Sequence, residues 1–113
     1  MTVKRYVDVQ RRGRSGVAEG FERITRELNE ERAAALRRIS RTLESLIEQL
    51  HAARARIVTL PDAERLPELT AYHELRRTAT QYRWYLEVQR EAIGLRQHHV
   101  LDECYVIPDA PVW

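Results

Sequence analysis

Between Leu36 and Ile57 the chain reads LRRISRTLESLIEQLHAARARI, and within it Leu36, Ile39, Leu43, Leu46, Leu50, Ala53 and Ile57 recur at alternating steps of three and four. That rhythm places an apolar seam along one face of an α-helix. A second stretch repeats it through Tyr72, Leu75, Ala79, Tyr82, Leu86 and Ile93. Two seams of this kind close on each other. The predicted fold class is therefore all-α, an antiparallel hairpin of two long, coiled-coil-like helices.

Working outward, residues 58–67 supply the turn. Pro61 and Pro67 exclude helix interior, Asp62 favours a capped turn, and Pro67 suits the first position of helix two. Helix two is expected to run from about Pro67 to the region of His98, with Gly94 a weak point near its end. Helix one is expected to start near Ser15, whose hydroxyl can cap it, with Glu19 near the positive end of the helix dipole. Val17, Phe21, Ile24 and Leu28 form a first apolar stripe, but its register slips before Leu36. The slip predicts either a stutter in a continuous helix or a short break with Asn29 as a new cap.

Residues 1–16 read as a basic N-terminal arm, with Lys4, Arg5, Arg11, Arg12 and Arg14 against the single acid Asp8. Residues 17–99 form the hairpin domain, and residues 100–113 an extended apolar C-terminal tail that carries Pro108 and Pro111 and ends in Trp113. Tyr6 to Val9 and Tyr105 to Ile107 have side chains that favour strands and are candidates for a small two-stranded ribbon. An apolar, aromatic tail is a poor solvated terminus. It is expected to dock on this fold or on a partner.

Composition bounds the function classes. With 113 residues, 43% apolar, 32% charged, four glycines and four prolines, the chain is one domain at most and neither disordered nor turn-rich. Nineteen basic residues against seventeen acidic ones leave a net charge of +2 at a pI near 9.0, so no dominant nucleic-acid field is implied. Cys104 is the only cysteine, which excludes an intrachain disulfide. No stretch approaches the length of a membrane span, and the start has no apolar leader core. A cytoplasmic location is expected, with no membrane partner.

Helix two carries more apolar surface than one partner helix can cover. Trp84, Tyr85, Val88, Ala92 and Leu95 lie beside the seam, and such a stripe marks a protein contact. Trp84, Tyr85, Val88 and Ala92 are the candidate partner-binding residues of the helix, and Tyr105, Ile107 and Trp113 those of the tail. A second copy would complete a four-helix bundle, and a different protein would serve equally well.

The constellations that might carry chemistry are sparse. Glu48 and His51 have the Glu-x-x-His spacing of di-iron bundles, but no second such pair exists and a solvated helix face explains them. His98, His99, Asp102, Glu103 and Cys104 are crowded together, yet two ligands sharing a face fall short of the four that structural zinc takes. A narrow helical hairpin offers little of the concavity that catalysis requires. No enzymatic activity, cofactor, metal or small-molecule substrate is expected. Arg76, Arg83 and Arg90 form a ridge at seven-residue spacing on helix two, which Glu87 would neutralise in part, and Arg5, Arg11, Arg12, Arg76 and Arg83 are the candidates for phosphate contact.

The fragment VAEGFER at 17–23, with Leu43, Glu44, Leu46, Gln49 and Leu50 downstream, resembles a stretch of the four-helix-bundle proteins encoded in intervening sequences of bacterial large-subunit rRNA genes. The resemblance covers a minority of the chain, and its spacing departs from that family's, so no family is assigned on it. It would imply a basic helical oligomer that touches RNA. The function expected from the residues themselves is a non-enzymatic structural or adaptor subunit that oligomerises and docks into a larger protein assembly. The alternative is a small helical subunit that binds RNA or DNA through its arginines.

Overall fold

The computed structural model describes the backbone of residues 2–112 and the side chains of residues 16–112. Three helices follow in order, α1 (Thr2–Ile57), α2 (Asp62–Ala92) and α3 (His99–Cys104), and no strand occurs among the described residues. The chain divides into two compact units, 1–34 and 35–113.

The second unit holds the hairpin. Leu43, Leu46, Leu50 and Ile57 of α1 meet Tyr72, Ala79 and Leu86 of α2, and Leu101 of α3 completes the buried core. Leu36, Ile39, Ala53, Leu75 and Tyr82 pack around it half-buried. Both predicted seams therefore face one another, because the step of three and four keeps each set on one helix face. Ile93 is the exception and stands partly exposed beyond the end of α2.

The turn is shorter than the sequence suggested. α2 begins at Asp62 rather than Pro67, with Pro61 as its cap in extended conformation and Asp62 and Glu64 loading the first turn with negative charge. The amide of Glu64 donates to Pro61 O at 2.9 Å, and Arg65 donates to Leu60 O at 3.0 Å and to Asp62 Oδ1 at 2.6 Å. Pro67 thus lies inside the helix. Its missing amide would have bonded the carbonyl of Ala63, an exposed residue, where water can take the donor's place. Arg56 Nη2 pairs with Glu68 Oε2 at 2.8 Å across the turn.

The other end of α2 is also earlier than expected, at Ala92 rather than His98. Gly94, at φ +91°, is the left-handed residue of a Schellman motif. Its amide donates to Glu91 O at 3.0 Å and that of Leu95 to Arg90 O at 2.9 Å. What reads in sequence as a weak point is the stop signal. The tail, expected to be extended from residue 100, first turns through α3 because Leu101 is drawn into the core. From Tyr105 onward the described tail has no regular secondary structure.

Within the first unit α1 is helical from Thr2, so the expected extended arm over 1–16 is corrected, and with it the ribbon between Tyr6–Val9 and the tail. No proline interrupts this stretch, and Gly13 and Gly16 each cost a helix only about 1 kcal/mol. Nor does α1 break at Asn29. The slip of register is taken up within a continuous helix.

Candidate interaction surfaces

Arg76, Arg83 and Arg90 stand seven residues apart on α2 and so line one face of it. Each is met by the returning C-terminal segment. Arg90 Nη2 donates to Gln97 O at 3.1 Å, and the Arg83 guanidinium pairs with the Asp102 carboxylate. Arg76 pairs through Nη2 with Asp109 Oδ1 at 3.2 Å and donates from Nε to Pro108 O at 3.2 Å. Residue numbers fall along α2 as they rise along the segment, so the return is antiparallel to the helix. α1 contributes from the other side, Arg54 Nε donating to Asp109 O at 3.3 Å and the Tyr105 hydroxyl donating to Glu44 Oε1 at 3.4 Å.

The hydroxyl of buried Tyr72 lies beneath this clamp, 3.1 Å from Pro108 O and 3.0 Å from Asp109 O. Burial raises its pKa above the ordinary 10.0. The neighbouring Arg54 and Arg76 cations pull it down in part, and Asp109 adds to the rise. Tyr105, Ile107 and Ala110 pack half-buried against the core, and Pro111 is buried. The tail is therefore docked on its own hairpin, at least as far as Pro111. Trp113 lies outside the described residues.

The sequence candidates separate accordingly. Arg76 and Arg83, offered for phosphate, are engaged by tail carboxylates. The side chains of Arg5, Arg11 and Arg12 lie outside the described residues. On α2, Trp84 is 57% exposed and Val88 and Ala92 are also exposed, while Tyr85 is half-buried between Tyr82 and Trp84, ring centroids 5.5 and 5.6 Å away. Beside Trp84, a shallow open depression on the same helix is lined by His73, Arg76, Arg77, Thr80 and Gln81. Arg77 is tied to Glu74 at 2.9 Å.

The most exposed apolar row lies elsewhere, in the first unit. Val17 is 75% exposed, Phe21 72%, Ile24 65% and Leu28 44%. The stripe is visible in the sequence but is not among the residues expected there to bind a partner. The signal was the slip of register, which removes these residues from the seam that the hairpin closes.

Among the described residues the groups with catalytic or ligating chemistry are scattered. Glu48 and His51 are exposed, and His98 Nε2 lies 2.9 Å from Glu91 Oε1. Cys104 is exposed and borders a small cleft with Ser40, Arg90 and Tyr105. Among the described residues no three of His, Cys, Asp and Glu are grouped to hold a metal, and no helix is long and apolar enough to cross a membrane. The sequence matches no family model, and neither curated proteins nor solved structures show a significant similarity to it.

Proposed function

We propose that this chain is a non-enzymatic helical subunit, structural or adaptor in role, that works by binding protein through α-helical surfaces. One observation carries the reading, the row Val17, Phe21, Ile24 and Leu28 left open on α1. Burying a side chain of this size is worth about 1.5–3 kcal/mol, and soluble proteins rarely leave such residues contiguous and wet without a binding role. The Trp84 and Val88 face of α2 is a second surface of the same kind. The tail, held by its own hairpin, serves the fold in this reading.

The test is a photo-cross-linking amino acid placed at Phe21 or at Trp84 in cells that make the protein. Discrete protein adducts at position 21 are expected. Adducts to nucleic acid alone, or none at either position, would refute the reading. The phosphate-binding alternative retains one favourable observation, exposed Trp84 beside His73 and Arg77 on an open face of α2. It requires an affinity for RNA or DNA that falls steeply with salt.

A further inference from the structure

The row on α1 has the geometry of a coiled-coil seam, and it lies wholly within the first unit. With Phe21 and Leu28 at position a of a heptad, Val17 and Ile24 fall at d. The flanking positions then carry Gly20 and Glu27 at g, and Ala18, Thr25 and Arg32 at e. Small residues dominate there, which permits close approach. Glu22, Arg23, Arg26 and Glu30 fall at b, c and f, away from the seam, and Glu31 at the next d position ends it.

Glu27 and Arg32 are the only charges at e and g between 17 and 32, and they are opposite in sign. In a parallel coiled coil a g residue faces the e′ residue five positions on in its neighbour. Glu27 of one copy then meets Arg32 of the next, and the symmetry repeats the pair. An antiparallel arrangement sets g against g′ and e against e′, which brings no opposite charges together in this stretch. We propose that the occupant of this row is a second copy of the same chain, paired in parallel through Val17, Phe21, Ile24 and Leu28 and registered by Glu27 with Arg32. This rests on the reading of α1 as a protein-binding helix and names its partner. The seam spans only two heptads, so the association is weak and concentration-dependent.

Sedimentation equilibrium of the full chain, followed from low to high micromolar concentration, tests it. The mass is expected to rise to a discrete multiple of the monomer. The variant carrying Phe21→Gln and Ile24→Gln is expected to remain monomeric, with helicity kept because both side chains are exposed. Glu27→Arg and Arg32→Glu should each weaken association by about threefold to tenfold, and the variant carrying both should recover it. A protein monomeric throughout the range overturns the proposal, as does an assembly indifferent to Phe21→Gln with Ile24→Gln. Loss of assembly in that variant, without recovery on exchanging the charges, overturns the parallel pairing. A monomer that nonetheless gives adducts to a different protein at position 21 refutes only the identity of the partner. Absence of adducts at either position refutes the broader reading.

Discussion

Replacing Tyr72 by phenylalanine removes one oxygen atom from the junction of both long helices and the returning segment. The ring stays, so apolar burial is unchanged. The phenol has one hydrogen to give and two carbonyls within reach, Pro108 O at 3.1 Å and Asp109 O at 3.0 Å. Neither carbonyl is orphaned by its loss, since Arg76 Nε still donates to the first and Arg54 Nε to the second. Tyr72→Phe should therefore cost the net worth of one hydrogen bond, about 1 kcal/mol, rather than the penalty of about 1–3 kcal/mol for an unsatisfied buried group. Urea unfolding followed by far-ultraviolet circular dichroism measures it. The same substitution carries a signature in pH. Burial holds the folded pKa of Tyr72 above 10.0, so its contribution is fully present below the unfolded value. That contribution is lost as pH rises through the raised folded pKa. The gap between the wild type and Tyr72→Phe should hold from neutral pH up to the ordinary tyrosine range and shrink above it. A neutral-pH loss near 3 kcal/mol, or a gap constant through the alkaline range, would refute the reasoning.

Two further substitutions test the packing and the helix stop. Leu50, fully buried between α1 and α2, should lose about 2–5 kcal/mol as Leu50→Ala in the same denaturation assay, because the cavity adds to the lost transfer energy. Gly94 has φ +91° and open space where a Cβ would stand. Gly94→Ala should therefore cost about 1–2 kcal/mol of backbone strain alone, with Gly94→Asn milder, both read by urea unfolding.

The hairpin was legible because its signal is periodic. Leu43, Leu46 and Leu50 on one side and Tyr72, Ala79 and Leu86 on the other announce their faces by spacing alone, and all six are buried. Helix ends were less legible, since they depend on local competition. Two prolines stood near the start of α2, and nothing in their spacing said that Pro61 would be the cap and Pro67 a tolerated interior residue. The arginine ridge was visible, but its partners were not. Asp102 and Asp109 lie 19 and 33 residues away along the chain from Arg83 and Arg76, and no local pattern encodes that return. A cation ridge reads identically whether phosphate or the chain's own carboxylates will meet it. The row at Val17 to Leu28 was legible as apolar, and only the structure shows these side chains exposed.

The antiparallel return has a kinetic meaning as well. The hairpin can close from its turn, where Arg56 and Glu68 are 12 residues apart, whereas Arg54 to Asp109 spans 55 and Glu44 to Tyr105 spans 61. Closing a loop of the longest span from an unfolded chain costs about 1.4 kcal/mol more entropy than closing the shortest. The bonds from the segment to α1 therefore carry the largest closure cost, whereas Arg90 to Gln97, 7 residues apart, and Arg83 to Asp102, 19 apart, can form on α2 early. Contacts made after the folding barrier leave the rate of folding almost untouched and set the rate of unfolding instead. Arg54→Ala, which removes the bond to Asp109, is accordingly expected to speed unfolding more than it slows folding, as the two arms of a denaturant chevron would show.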